Sequence, residues 1–219
     1  MSNNDIKTVL AFGDSLTWGA IPGSGGTRHA FQDCWPSVLE AGLVDTRVIS
    51  EGLVGRTTVF DDTNTIADRN GARVLPTMLG SHAPLDLVII MLGANDLKPS
   101  ICGTAEGAAA GMRRLAEIVR TYPFATEQRV PKLMIIAPPR FRNTREGTGP
   151  AGNRSIAQSE RIPALYRQIA KDYKGIFFDA GNVARASPVD GVHLDLINTR
   201  AIGSALVSVV AAYLNVRMH

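Results

Sequence analysis

The chain has 219 residues, of which 45% are hydrophobic and 20% charged, with a net charge of +3 at pH 7. Those values fit one ordinary globular domain spanning 1–219 and exclude a disordered, fibrous or disulfide-stapled chain. Residues 101–174 carry 13 Lys/Arg against 6 Asp/Glu; no basic-aromatic module accompanies this solvated face, so nucleic-acid binding is not expected.

The first five residues, Met-Ser-Asn-Asn-Asp, run almost directly into an apolar segment without a basic-apolar-small leader. No apolar stretch approaches the roughly 18 residues of a membrane span. Cys34 and Cys102 form neither a C-x-x-C nor a metal-ligand pattern and read as idle thiols. A reduced, cytoplasmic setting without membrane contact is the expectation.

The first strand is expected at 8–12 and stops at Gly13-Asp14-Ser15-Leu16. An apolar run ending in Gly and a small polar residue suits a buried parallel strand that delivers its last side chain to the sheet's carboxyl edge, where ligands of open α/β sheets bind. Ser15 in such a turn is a helix cap or a nucleophile. Loop 21–33, with Pro22, Gly23, Gly25 and Gly26, follows it, then a helix over 35–42. A strand at 47–50 leads into Glu51-Gly52-Leu53-Val54-Gly55-Arg56-Thr57-Thr58. There Gly55 either offers an unhindered N–H or permits a positive φ.

A helix is expected over 73–82 and a strand over 87–92, the latter ending at Gly93-Ala94-Asn95-Asp96. The Asn95 amide there is a turn former or a donor to a developing oxyanion. A helix over 106–122 and a strand over 133–137 precede loop 138–154, which is rich in Gly, Pro, Arg and Asn. A loop of that length in a compact domain is usually functional or mobile, so it is a candidate substrate rim or subunit contact. The helix expected over 155–173 contains Pro163, which should kink or split it. A strand over 176–179 and a helix over 198–216 enclose Asp190-Gly191-Val192-His193. Among His29, His82, His193 and His219, only His193 has a carboxylate spaced to orient its ring, as a catalytic base requires.

Alternating strands and helices argue for a parallel sheet covered on both faces. Three functions compete on the residues alone. One is acyl transfer to Ser15 with His193 as base. A second is a non-catalytic flavodoxin-like binding module, against which the absence of a phosphate-loop motif counts. A third is a metal-dependent hydrolase with Asp14, Asn95, Asp190 and His193 as ligands.

With these segments assembled, the chain resembles the SGNH hydrolases, also called the GDSL esterase/lipase family. Gly13-Asp14-Ser15-Leu16, Gly93-Ala94-Asn95-Asp96 and Asp190-Gly191-Val192-His193 match its first, third and fifth blocks in order. Glu51 and Arg56 depart from the commonest second block, so Gly55 is carried over on position alone. The run around Ser15 and the later Glu-Gly-Leu-x-x-Arg-Thr-Thr look most like the bacterial arylesterase and acyltransferase branch. The resemblance implies a three-layer α/β/α, flavodoxin-like fold with a five-stranded parallel sheet. It implies Ser15 as nucleophile, His193 as base, Asp190 as its orienter, and an oxyanion hole from Ser15, Gly55 and Asn95. It further implies hydrolysis of small acyl esters, with acyl transfer to an alcohol as a variant, by a homo-oligomer that needs no cofactor or metal. Trp18 and Phe31 could line the substrate site or simply pack.

Overall fold

A computed structural model describes residues 6–219; the stretch 1–5, read above for a leader, lies outside the described residues. The expected strands form as β1 (Lys7–Gly13), β2 (Thr46–Gly52), β3 (Leu87–Met91), β4 (Lys132–Ala137) and β5 (Ile176–Asp179). They make one five-stranded sheet in the order β2-β1-β3-β4-β5, every pairing parallel. β3 is buried along its whole length, and β1 and β4 nearly so, whereas β2 and β5 at the edges are only partly covered. That gradient explains why the central strands read as unbroken apolar runs in the sequence.

Helices α1 (Ser15–Trp18), α2 (Trp35–Ala41), α3 (Gly71–His82), α4 (Ala105–Thr121), α5 (Ile156–Asp172) and α6 (Leu196–Leu214) connect the strands. α2 pairs with α6, and α3, α4 and α5 form a continuous row; the sheet between them makes a three-layer α/β/α fold. Helix starts are marked by side-chain caps: Asn70 on α3, Thr104 on α4 and Ser155 on α5. The core joins Phe12, Trp35, Leu75, Ile89, Met91 and Tyr166, all fully buried.

Two expectations are corrected. Of the two outcomes expected at Pro163, the split does not occur: α5 runs through it as one helix. Its buried stripe of Ile162, Tyr166 and Ile169 supplies far more packing than the single backbone hydrogen bond that proline removes. α6, at 19 residues with a mean hydropathy of 1.4, is long and apolar enough by length and composition to cross a membrane. Asn198, Thr199, Arg200, Ser204 and Ser208 interrupt its run in sequence, yet the average stays high because Ala, Val, Leu and Ile fill most of the other positions, and Ile202, Leu206, Val210 and Leu214 among them are buried in the fold.

The order 2-1-3-4-5 is the flavodoxin-like arrangement, whose crevice opens where the chain reverses direction between β1 and β3. Ser15 follows β1 and Asn95 follows β3, and Gly13 is in register with both Gly52 and Met91. The topology therefore brings the first three candidate segments to one edge.

Candidate active site

The turn after β1 is built by Asp14, whose carboxylate caps α1 by accepting from the Leu16 N–H at 2.9 Å. Gly13 is required for a steric reason: a Cβ there would stand 2.0 Å from Thr17 Oγ1 and 2.9 Å from the Met91 carbonyl. Ser15, 5% exposed, opens the four-residue helix. Its hydroxyl is 3.0 Å from His193 Nε2, and His193 Nδ1 is 2.7 Å from Asp190 Oδ2. With Nδ1 protonated, the imidazole donates to the carboxylate and accepts from the serine, which leaves Nε2 as a base on Oγ.

Asp190 is itself held by three backbone donors. Its Oδ1 accepts from the N–H groups of Val192 (3.0 Å) and His193 (2.9 Å). Its Oδ2 accepts from Gly23 at 3.1 Å, so loop 21–33 hooks the carboxylate from across the chain. Burial pushes the Asp190 pKa up, but hydrogen bonds from the His193 ring and from the Val192 and His193 N–H groups outweigh it, and the carboxyl lies well below its usual range.

The segment after β2 is drawn against this turn. Leu53 N–H donates to the Gly13 carbonyl at 3.1 Å, and Arg56 Nη1 donates to the same carbonyl at 2.9 Å and to the Glu51 carbonyl. The Arg56 guanidinium also lies over the Phe12 ring at 4.2 Å. Arg56 is 4% exposed, and burial lowers its pKa to about 10 against the opposing pull of Glu51 and Asp14. Arg56, one of the two residues that depart from the commonest second block, is thus a clamp that holds the segment to β1. Gly55 takes a φ of +85°, and a Cβ there would stand 2.5 Å from Arg69 Nε. Among the described residues, neither the Gly55 nor the Ser15 N–H has an acceptor.

Asn95 stands in the third segment, 3% exposed. Its amide nitrogen donates to the Arg56 carbonyl at 3.1 Å and makes a long 3.4 Å contact to Asp14 Oδ2. The neighbouring Asp96 accepts from the Thr58 N–H at 3.1 Å and from its hydroxyl, tying this segment to the one after β2. Burial drives Asp14 up to about 6 despite the Leu16 hydrogen bond and the nearby cations. Burial does the same to Asp96, also to about 6, against the Thr58 hydrogen bonds and aided by the Asp14 charge.

The sequence reading missed Arg154. Its Nε donates to the Ala94 carbonyl at 2.8 Å, its Nη2 to Asn95 Oδ1 at 2.9 Å and its Nη1 to the Ala151 carbonyl. Burial lowers its pKa while Asp14 and Asp190 oppose the shift. A signal existed: Arg154 immediately precedes the Ser155 cap of α5, and a cation at a helix N-terminus is unfavourable unless another contact repays it. Loop 138–154 is fastened within its own chain by Arg142 N to Gly191 O (3.1 Å), Arg145 N to Pro188 O (2.8 Å) and Ala151 N to Asp190 O (2.8 Å). A neighbouring subunit is therefore not needed to order it.

Trp18 ends α1, three residues from Ser15, and is half-buried, with Arg28 packed over its ring at 5.1 Å and over Phe31 at 5.6 Å. Of the other histidines, His29 Nε2 meets the Leu194 carbonyl at 2.9 Å and His82 pairs with Glu51 at 2.9 Å. Cys34 and Cys102 are free thiols. Among the described residues, no three His, Cys, Asp or Glu side chains are grouped to hold a metal ion.

No curated protein sequence matches this chain. Among solved structures, a candidate arylesterase from Agrobacterium tumefaciens str. C58 is 56% identical with a TM-score of 0.91, the match covering 94% of this chain and 99% of that one. A carbohydrate acetylesterase family member from Sinorhizobium meliloti is 50% identical with a TM-score of 0.88, covering 95% and 99%. The aryl esterase of M. smegmatis is 36% identical with a TM-score of 0.85, covering 94% and 99%. The model of one family spans residues 11–197, from β1 through the Asp190–His193 segment and into α6, and by that match the chain belongs to the GDSL-like lipase/acylhydrolase family.

Proposed function

We propose that this serine ester hydrolase acts on esters of small acyl groups, aryl and carbohydrate acetyl esters among them, through an acyl-Ser15 intermediate. The observation that carries the reading is the unbroken hydrogen-bond chain from Ser15 Oγ through His193 to Asp190, at 3.0 and 2.7 Å. Ser15 Oγ attacks the ester carbonyl carbon while His193 Nε2 takes its proton. The resulting oxyanion sits against the Ser15 and Gly55 N–H groups and the Asn95 amide. As the tetrahedral species collapses, the C–O bond to the alcohol breaks and His193 returns the proton to the departing oxygen. Water then attacks the acyl-serine with His193 again as base, releasing the acid and free Ser15. An alcohol in place of water would give acyl transfer.

Trp18 and Phe31 are proposed to border the acyl or alcohol group. The name of the M. smegmatis neighbour supports aryl esters and that of the S. meliloti neighbour supports carbohydrate acetates. The test is a panel of p-nitrophenyl esters of increasing acyl length, run on wild type and Ser15→Ala, with organophosphonate labelling. The reading predicts fast turnover of acetate and butyrate, little of palmitate, and loss of both turnover and labelling in Ser15→Ala. More than a few per cent residual activity in that variant would reject the nucleophile assignment.

A further inference from the structure

We propose that Arg154 is a positioning residue that locks the Asn95 carboxamide in its donor orientation; this rests on the proposed role of Asn95 as an oxyanion donor. An asparagine side chain can sit either way round, because its oxygen and nitrogen ends are the same size. Here the two ends meet opposite surroundings. Oδ1 faces the Arg154 guanidinium at 2.9 Å, while Nδ2 faces the Arg56 carbonyl at 3.1 Å and Asp14 Oδ2 at 3.4 Å. A flip would turn the NH2 group onto a cation and the oxygen onto a carbonyl and a carboxylate, an arrangement with no hydrogen bond at all.

The same geometry leaves one amide hydrogen for chemistry. The first is committed to the Arg56 carbonyl, and the second makes only the long 3.4 Å contact to Asp14, which leaves most of its donor capacity for an incoming oxyanion without any turn of the amide. A buried cation on Oδ1 draws electron density from the amide nitrogen and makes that hydrogen a better donor. Arg154 can do this rigidly because three separate acceptors, Ala94 O, Ala151 O and Asn95 Oδ1, occupy its fork. A lysine ammonium, carried on a flexible stem, cannot reproduce that fork. Loop 138–154 thus contributes its last residue to the support of Asn95.

The experiment is a double-mutant cycle on kcat and KM for p-nitrophenyl acetate, using Arg154→Met, Arg154→Lys, Asn95→Ala and the pairs. Arg154→Met should lower kcat by about 10- to 100-fold, the range seen when an outer-shell hydrogen-bond partner of a metal ligand is removed, with KM little changed. In the Asn95→Ala background the same substitution should cost nothing further. Arg154→Lys, which keeps the charge, should fall between wild type and Arg154→Met and serves if the methionine variant does not fold. In Arg154→Ala, which leaves room for the ion, added guanidinium should restore part of the lost kcat when Asn95 is present and none in the Asn95→Ala background, and equal rescue in both backgrounds would overturn the inference. An equal loss in both backgrounds would show a loop-stabilising role and overturn the inference, as would a change confined to KM. If Asn95→Ala costs activity and neither Arg154 variant does, the inference alone fails; if Asn95→Ala costs nothing, the donor role of Asn95 fails and takes the inference with it.

Discussion

Asp190 spends four hydrogen bonds on one carboxylate: two accepted by Oδ1 from its own turn, and two by Oδ2, from the His193 ring and from Gly23. Asp190→Asn keeps the size but turns an acceptor into a donor facing Nδ1, so the ring is pushed to the wrong tautomer. The expected result is a kcat loss approaching 10⁴-fold with KM nearly unchanged, as in the serine-protease template. Steady-state kinetics on p-nitrophenyl acetate check it, and a loss below 10-fold would argue against Asp190 as orienter. Its depressed pKa keeps the carboxylate charged throughout the neutral and mildly acidic range. The native interactions of Asp190 therefore favour the fold above its unfolded pKa and are lost only as pH falls through the lower folded value. Activity should be indifferent to EDTA, since the proposed steps use only side-chain and backbone groups. A loss reversed by a divalent ion would instead favour Asp14, Asn95, Asp190 and His193 as ligands.

The segment following β2 depends on a conformation that only glycine adopts easily. Gly55→Ala must place a Cβ 2.5 Å from Arg69 Nε at a φ of +85°, a strain of roughly 1–2 kcal/mol. Both a lower unfolding midpoint in urea and a lower kcat are expected, because the strained peptide carries the proposed oxyanion donor. A variant with full stability and full activity would remove Gly55 from the site. Beside β3, the fully buried Tyr166 donates to the Leu92 carbonyl at 3.0 Å and supports the Gly93-Ala94-Asn95 turn from α5. Tyr166→Phe leaves that carbonyl without its partner and should cost about 1–3 kcal/mol, measured by denaturant unfolding. Elements were largely legible in the sequence because the central strands are apolar on both faces and the helix caps are side chains of the expected kinds. α1 was not, since four residues carry too little periodicity to register.

For the whole molecule, the two buried carboxylates of Asp14 and Asp96 set a pH dependence of stability. Both pKa values are raised to about 6 by burial, so the folded state takes up protons before the unfolded one does. Stability should therefore rise as pH falls from 7.5 to 5.5, by on the order of 1 kcal/mol. Urea unfolding at the two pH values measures it, and Asp96→Asn should remove about half of the gain; a decrease over that window would contradict the sign. Assembly is a further expectation at this scale. Phe31, Leu196 and Ile197 are exposed large hydrophobics where the 31–33 turn packs against α6 and Asp33 pairs with Arg200 at 3.3 Å. The proposal is a homo-oligomer in which loop 138–154 helps wall the substrate entrance, and these exposed apolar side chains are available to its interface. Light scattering should give a mass well above 23.4 kDa, and a monomer at micromolar concentration would defeat the proposal.

The sequence by itself determined the parallel α/β sheet, the family and the identity of the three principal candidates, Ser15, Asp190 and His193. Those readings depend on local facts: apolar runs, the residues that end them, and a carboxylate three positions before a histidine. Only the tertiary structure decided what Arg56, Arg154 and Gly23 do. Each acts on a group far along the chain, Arg154 on Asn95 across 59 residues and Gly23 on Asp190 across 167, and no local pattern encodes such a contact. Arg56 and Arg154 carry a charge that ordinarily marks a solvated surface, and it is their burial against backbone carbonyls and the Asn95 amide oxygen that turns them into parts of the site.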